Sequence, residues 1–191
     1  MTGDNFGHSV AISENAVLVG ADDDDFGSTQ TREGSAYVID RTTAPPPPFS
    51  PCETEIEVNI TTDQPDADID DDVCDVDANE PDQQCSMRAA IETANAKAGP
   101  DEISFNIEGA GPHTISPATA LPAITDKVLI DATTQPDYSA SPLIELSGNG
   151  GFAGLTFAAG SGDSSVSGLA INRFLAGISL QTSGIKIERN Y

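Results

Sequence analysis

The side chains able to do chemistry in this sequence are mostly carboxylates. Of 191 residues, 31 are Asp or Glu and 8 are Lys or Arg, giving a formal net charge of −23. Two acidic stretches have spacings that hard-cation sites use. Asp22, Asp23, Asp24 and Asp25 are consecutive, and Asp66, Asp68, Asp70, Asp72, Asp75 and Asp77 alternate much as the first half of a calcium loop does. Oxygen ligation of Ca²⁺ is therefore the one cofactor chemistry to consider, with Asp22 to Asp25 and Asp70, Asp72 and Asp75 as its ligands. The competing reading is a solvated loop: the second stretch has no turn glycine at the sixth place and no closing Glu at the twelfth, and a run of consecutive aspartates such as the first is more often simply solvated.

The three cysteines allow a second kind of chemistry. Cys74 and Cys85 bracket ten residues, and a disulfide closing that loop contributes roughly 2–3 kcal/mol in the chain-entropy model. Cys52 is left over, either free or paired outside this sequence. Zinc would need CxxC or Cys/His pairs at short spacing, which the sequence lacks. The disulfide is the favoured reading and argues for an oxidising compartment.

Catalysis finds less support. Cleaving a glycosidic bond needs two converging carboxylates, yet Asp126, Asp131, Asp137, Glu145, Asp163 and Glu188 are scattered. Arg173, Lys186 and Arg189 read as surface charge balance. Two histidines, His8 and His113, lie too far apart to argue for a Ser-His-Asp arrangement. The run 148–154 has Ala153 in the last glycine position and a strand after it, so it is not a dinucleotide loop. The expectation is a protein that is not an enzyme. Nucleic acid is excluded as a partner by charge. Membrane insertion is not expected, since no run of eighteen apolar residues exists. No charged, apolar, then small-residue leader follows Met1. The sequence opens and closes in mid-pattern and reads as part of a longer protein.

One helix must position these groups, and it is predicted over 85–95. Met87, Ala90, Ile91, Ala94 and Ala98 make one apolar stripe, while Arg88, Glu92, Thr93 and Asn95 face away. Ser86 serves as N-cap and Gly99-Pro100 as the stop. Three turns are marginal alone in water, so the stripe must cover something. Before the helix, Glu55-Ile56-Glu57-Val58-Asn59-Ile60-Thr61 alternates with period two as a half-buried strand, and spells a glycosylation sequon at Asn59.

After the helix, short apolar couplets recur between Gly, Ser, Asp and Asn: Ile103/Phe105/Ile107, Ile115, Val128/Ile130, Ile144/Leu146, Leu155/Phe157, Leu169/Ile171, Ile178/Leu180 and Ile185/Ile187. Strands this short, with brief turns and no further helix signal, suit a solenoid better than a sandwich. A solenoid end exposes apolar side chains and strand edges, and the Met87–Ala98 stripe is the right size to close one. Upstream, the runs 9–12, 16–21 and 36–39 read as a three-stranded meander. Four consecutive prolines, Pro45 to Pro48, mark a spacer after it.

Two resemblances follow from these pieces. Phe6-Gly7-His8-Ser9-Val10-Ala11, Val19-Gly20-Ala21 and Gly34-Ser35-Ala36-Tyr37-Val38 in that order resemble an FG-GAP repeat, the blade unit of integrin-α-type propellers. That resemblance implies extracellular adhesion or ligand recognition, often with calcium in a DxDxDG loop; Ser13-Glu14-Asn15 stands in that place here. Cys85-Ser86-Met87-Arg88-Ala89-Ala90, with Val73-Cys74-Asp75 before it and Asp101-Glu102-Ile103-Ser104-Phe105 after it, is similar to the CSLREA-type region that precedes right-handed parallel β-helices of bacterial surface proteins. It implies an architecture and a location, and no agreed chemistry.

The expected fold class is thus all-β: a right-handed parallel β-helix capped by one amphipathic α-helix and preceded by a small antiparallel FG-GAP meander. The expected divisions are 1–41 (FG-GAP repeat), 42–52 (Pro-rich linker), 53–99 (first strand, acidic loop and capping helix) and 100–191 (coils). The expected role is a non-catalytic secreted or cell-surface protein that displays or adheres to an extracellular protein or polysaccharide. The alternatives are a carbohydrate-active β-helix lyase or hydrolase whose catalytic coils lie elsewhere, and a plain structural spacer.

Overall fold

The computed structural model describes residues 5–12, 16–22, 35–40 and 54–191. The chain divides into two compact units, Met1–Ser50 and Pro51–Tyr191. In the first, β1 (Asn5–Ile12), β2 (Ala16–Asp22) and β3 (Ser35–Asp40) form an antiparallel sheet in the order β1-β2-β3. The β1–β2 register shifts between Phe6 and Ser9.

Among its described residues the second unit is mostly β, with one α-helix and only parallel sheets. Its elements are β4 (Thr54–Val58), α1 (Met87–Ala96), β5 (Asp101–Phe105), β6 (His113–Ile115), β7 (Val128–Asp131), a single 3₁₀ turn (Ala132–Thr134), β8 (Ile144–Ser147), β9 (Ala153–Phe157), β10 (Ser165–Ser167), β11 (Leu169–Asn172), β12 (Ala176–Leu180) and β13 (Lys186–Glu188). Three sheets result, ordered β13-β10-β7-β5-β4, β11-β8-β6 and β12-β9. From β7 onward the chain visits the three sheets in a fixed cycle: β7, β8, β9, then β10, β11, β12, then β13. The circuit from β5 to β7 touches the third sheet only through the isolated bridge Ile124↔Phe157.

Parallel pairing in register places like side chains above one another. Ile56, Ile103, Ile130, Val166 and Ile187 form one inward ladder across five strands. Ile115, Leu146 and Ile171 form a second, and Leu155 pairs with Ile178 in the third sheet. Apart from the exposed Ile187, these ladders and the helix residues Met87, Ala90, Ile91 and Ala94 belong to one core. Corners between sheets are tight. Gly168 joins β10 to β11 at φ +78°, a left-handed conformation that costs glycine nothing, and a Cβ there would lie 2.8 Å from the Thr133 amide.

α1 is shorter and more deeply embedded than its sequence pattern implies. It ends at Ala96, and Lys97 is already extended. Ala98 is exposed and lies outside the helix, so it is not part of the stripe. Thr93, expected to face away, is buried, with its hydroxyl 2.9 Å from the Ala89 carbonyl oxygen and 2.5 Å from Asp66 Oδ2. Ser86 caps the N-terminus, accepting from the Ala89 amide at 3.1 Å. The helix packs against β4, the outer strand of the five-stranded sheet.

Candidate functional site

Two regions gather polar side chains. The first lies between α1 and the loop over 59–86. A disulfide joins Cys74 to Cys85, both buried, and fixes that loop to the start of the helix. Arg88 clamps from the other side. Its Nε and Nη2 donate to the two Asp63 oxygens at 3.0 and 3.1 Å, and its remaining donors reach Thr119 and the Ala120 carbonyl. A guanidinium suits this because its planar fork matches a carboxylate while leaving N–H groups for carbonyls. Glu92 accepts from the Asp66 amide at 2.8 Å, and Asn95 bonds the Ala123 carbonyl and the Thr125 amide. The polar face expected to meet solvent therefore holds two loops against the helix.

Asn59 is equally committed. Its Nδ2 donates to the Gln83 carbonyl and its Oδ1 accepts from the Cys85 amide, each at 2.8 Å. The sequon amide thus ties the end of β4 to the disulfide.

The alternating aspartates form a run of turns. Asp66, Asp68, Asp71, Asp75 and Asp77 each accept through Oδ1 from the backbone amide two residues on, at 2.9–3.2 Å. A short carboxylate reaches its own backbone at that offset, which is the Asx-turn. The Asn79 side chain and amide hold the Asp77 carboxyl below its ordinary range. Of the three residues considered for Ca²⁺, Asp72 pairs with Lys97 at 3.4 Å, Asp75 also accepts from the Gln84 amide at 3.4 Å, and Asp70 donates its amide to Asp68. Among the described residues no three His, Cys, Asp or Glu side chains are grouped to hold a metal ion. Asp22 closes β2, and Asp23, Asp24 and Asp25 lie outside the described residues, as does Cys52.

The second region is a groove of about 570 Å³ whose lining includes Ser116, Pro117, Ser147, Asn149, Arg173 and Phe174. Arg173 follows β11 at φ +56°, an uncommon conformation for a side chain of this size. Its Nε donates to Ser147 Oγ at 2.8 Å and its Nη2 to the same oxygen. Ser147 Oγ in turn donates to Asn172 Oδ1, and Asn172 Nδ2 to Glu145 Oε1 at 2.8 Å. Thr114 completes the row at 2.6 Å from Glu145 Oε2. The Thr114 and Asn172 donors, with Arg173 nearby, hold the Glu145 carboxyl below its ordinary range. Phe174 packs at 5.9 Å from Phe152. It lies over two glycines: a Cβ on Gly148 would overlap its ring, and one on Gly154 would come within 3.0 Å.

Three of the other scattered acids make contacts within the fold. Asp126 accepts from the Gly99 amide, Asp131 caps the 3₁₀ turn and accepts from Ser167, and Glu188 pairs with Lys186. Glu102 stands beside Glu55 on the outer face of the five-stranded sheet. Partial burial, reinforced by Glu55 and Asp131, pushes its carboxyl above its ordinary range. Sequence reading missed the roles of Arg88, Asp63 and Asn59 and the Ser147–Arg173–Phe174 groove; Arg88 stood out as the basic residue of the helix motif and Asn59 as a sequon, and neither signal pointed to a structural tie.

Compared with known protein families, residues 1–39 match the FG-GAP repeat. No curated protein and no solved structure matches the chain. Among the described residues no helix is long and apolar enough to cross a membrane.

Proposed function

We propose that this chain is a non-catalytic, exported or cell-surface protein serving adhesion or ligand display. In this reading an FG-GAP repeat (1–41) leads through a Pro-rich linker (42–52) to a right-handed parallel β-helix, with 53–99 as its first strand, acidic loop and capping helix and 100–191 as its coils. The observation that carries it is the FG-GAP match over residues 1–39, since such repeats serve extracellular recognition. The buried disulfide supports an oxidising compartment. The strongly acidic composition favours solubility outside the cell over contact with anionic polymers.

The groove at Arg173 and Phe174 favours a second reading, a carbohydrate-active β-helix protein, because a cation beside an aromatic ring suits an acidic sugar. One experiment separates the two. The purified chain is applied to immobilised collagen, fibronectin, pectin and alginate while soluble products are monitored. Saturable binding without product release supports display, and release of oligosaccharide would overturn it in favour of the enzyme. Absence of binding to every surface would count against both.

A further inference from the structure

The sequon Asn59-Ile60-Thr61 spells a chemistry, transfer of a glycan to the Asn amide nitrogen, that the fold as described leaves unused. Asn59 directly follows β4 and is only half-buried. With Ile60, Thr61, Gln83, Gln84 and Asn106 it lines a groove of about 610 Å³, so hydrogen bonding rather than burial is what withholds it. Nδ2 donates to the Gln83 carbonyl and Oδ1 accepts from the Cys85 amide, both at 2.8 Å. The Asn59 main-chain amide donates to the Cys85 carbonyl at 3.1 Å, and the Ile60 amide reaches the same oxygen at 3.4 Å. Main chain and side chain of the acceptor are thus bound to one short segment. That segment is pinned by the Cys74–Cys85 bridge, with Cys85 fully buried.

We propose that Asn59 is a conditional glycan acceptor: it takes an N-linked glycan while the segment around Cys85 is open, and closure of the Cys74–Cys85 disulfide withdraws it. In the transfer, Asn59 Nδ2 attacks the anomeric carbon of a lipid-diphosphate-linked oligosaccharide. The C1–Nδ2 bond forms, the C1–O bond to the diphosphate breaks, the lipid diphosphate leaves with the electron pair, and one Nδ2 proton passes to a base. An amide nitrogen shares its electron pair with the carbonyl, so the carboxamide must turn freely in the transferase before it can react. Bonds at both ends of the Asn59 carboxamide prevent that turn.

The exclusion is mutual. A glycan added first replaces one of the two Nδ2 protons and sets a sugar ring beside Gln83, so the modified chain closes the bridge less readily. Disulfide closure and glycan transfer both belong to exported chains, which brings the two steps into competition on one molecule. Local opening of 59–86 is the gate between them, and the bridge sets how often that gate opens.

The test is glycan transfer in vitro to the full 191-residue chain, using a purified single-subunit oligosaccharyltransferase and its lipid-diphosphate-linked donor, with Asn59 occupancy read by mass spectrometry. A synthetic peptide of residues 53–66 is the open-chain reference and should be modified. The oxidised chain should react at least about tenfold more slowly than the peptide, and Cys74→Ser/Cys85→Ser at least about tenfold faster than the oxidised chain, since losing the loop closure raises local opening by that factor or more. Thr61→Ala removes the sequon at an exposed position and keeps the Asn59 bonds; it should stay unmodified with or without the bridge. In a second arm, reduced chain carrying the glycan should re-form the bridge at least about threefold more slowly than unmodified chain, read by counting free thiols. An unmodified peptide, equal rates for peptide and oxidised chain, or a disulfide-free chain no faster than the oxidised one would each overturn the proposal. So would a disulfide-free chain that has also lost amide protection across 101–131, because its reactivity would then come from global unfolding, or bridge formation indifferent to the glycan.

Discussion

The two outer strands of the five-stranded sheet differ in what lies over them among the described residues. At β4, the edge and the apolar layer beneath it are covered by α1, whose Met87, Ala90, Ile91 and Ala94 are buried against the ladder. Among the ties that hold the helix are the Cys74–Cys85 bridge, the Arg88–Asp63 fork and the Asn59 amide. At β13 the ladder rises from 0% exposure at Val166 to 45% at Ile187, and the strand is three residues long with a charge on either side of its one apolar residue. Parallel strands propagate a core but do not terminate it. Termination takes an element of another kind, and that element in turn needs polar anchors because its own apolar stripe is narrow.

The sharpest way to break the comparison is a charge under the helix. Ile91→Asp should cost more than about 4 kcal/mol, enough to unfold much of 54–191, because the carboxylate would be buried without a partner. Loss of amide protection in peptides from 101–131 measures this, and a folded variant with normal protection would mean the helix covers nothing essential. Ladder positions give a graded version. Ile130→Ala should cost about 3 kcal/mol and Ile187→Ala less than about 1 kcal/mol, read by denaturant titration at micromolar protein. Equal costs would erase the distinction between the two ends.

The Arg88 fork comes next. Arg88→Ala leaves Asp63 and the Thr119 and Ala120 carbonyls without their cation, for an expected loss of about 3 kcal/mol. Arg88→Lys should recover only part of it, since an ammonium cannot bond both Asp63 oxygens and the carbonyls together. If Lys restores full stability, the fork geometry is unimportant.

Much of this architecture was legible because it rests on periodicity. The helix announced itself through Met87, Ala90, Ile91 and Ala94 at helical spacing with Ser86 before them, and most short strands through paired apolar residues. β10 escaped because Ser165-Val166-Ser167 offers one apolar residue, and one residue has no period. The sides of the helix were misjudged for a related reason. Periodicity distinguishes apolar from polar, but it does not say whether a polar side chain meets water or another segment, so Arg88, Glu92 and Asn95 looked solvent-facing. The aspartate alternation misled in the other direction. An i, i+2 carboxylate pattern is shared by calcium loops and by consecutive Asx-turns, and only the backbone decides which is present. The groove was invisible because Ser147, Arg173 and Phe174 are brought together by register between β8 and β11, a long-range relation that no local spacing encodes.

The disulfide contributes less than the helix it anchors. Replacing Cys74 and Cys85 together by Ser should lower stability by roughly 2–3 kcal/mol on loop entropy. The change should be concentrated in 59–86, where hydrogen exchange should speed up while the ladder from Ile103 to Val166 stays protected. Equal acceleration throughout would show that the bridge supports the whole stack.

The smallest expected effects separate the outer faces of two sheets by their response to pH. Glu102 is raised by partial burial and by Glu55 and Asp131, so its ionisation opposes folding. Stability should fall as pH rises from the unfolded Glu value through the raised folded value, and Glu102→Gln should relieve this at neutral pH. Screening at this partly exposed site keeps the gain to about 0.5 kcal/mol or less. Glu145 is lowered by Thr114, Asn172 and Arg173, so its ionisation favours folding. That contribution is present above the unfolded Glu value and is lost as pH falls through the lower folded value. Glu145→Gln should therefore destabilise slightly at neutral pH and converge with the unaltered chain in acid. Thermal unfolding of both variants between about pH 3 and 7 should give differences of opposite sign that close toward the acid end. Differences of the same sign would mean that the acidic neighbours on the five-stranded sheet and the hydroxyl and amide donors on the three-stranded one do not set the behaviour of these two carboxylates.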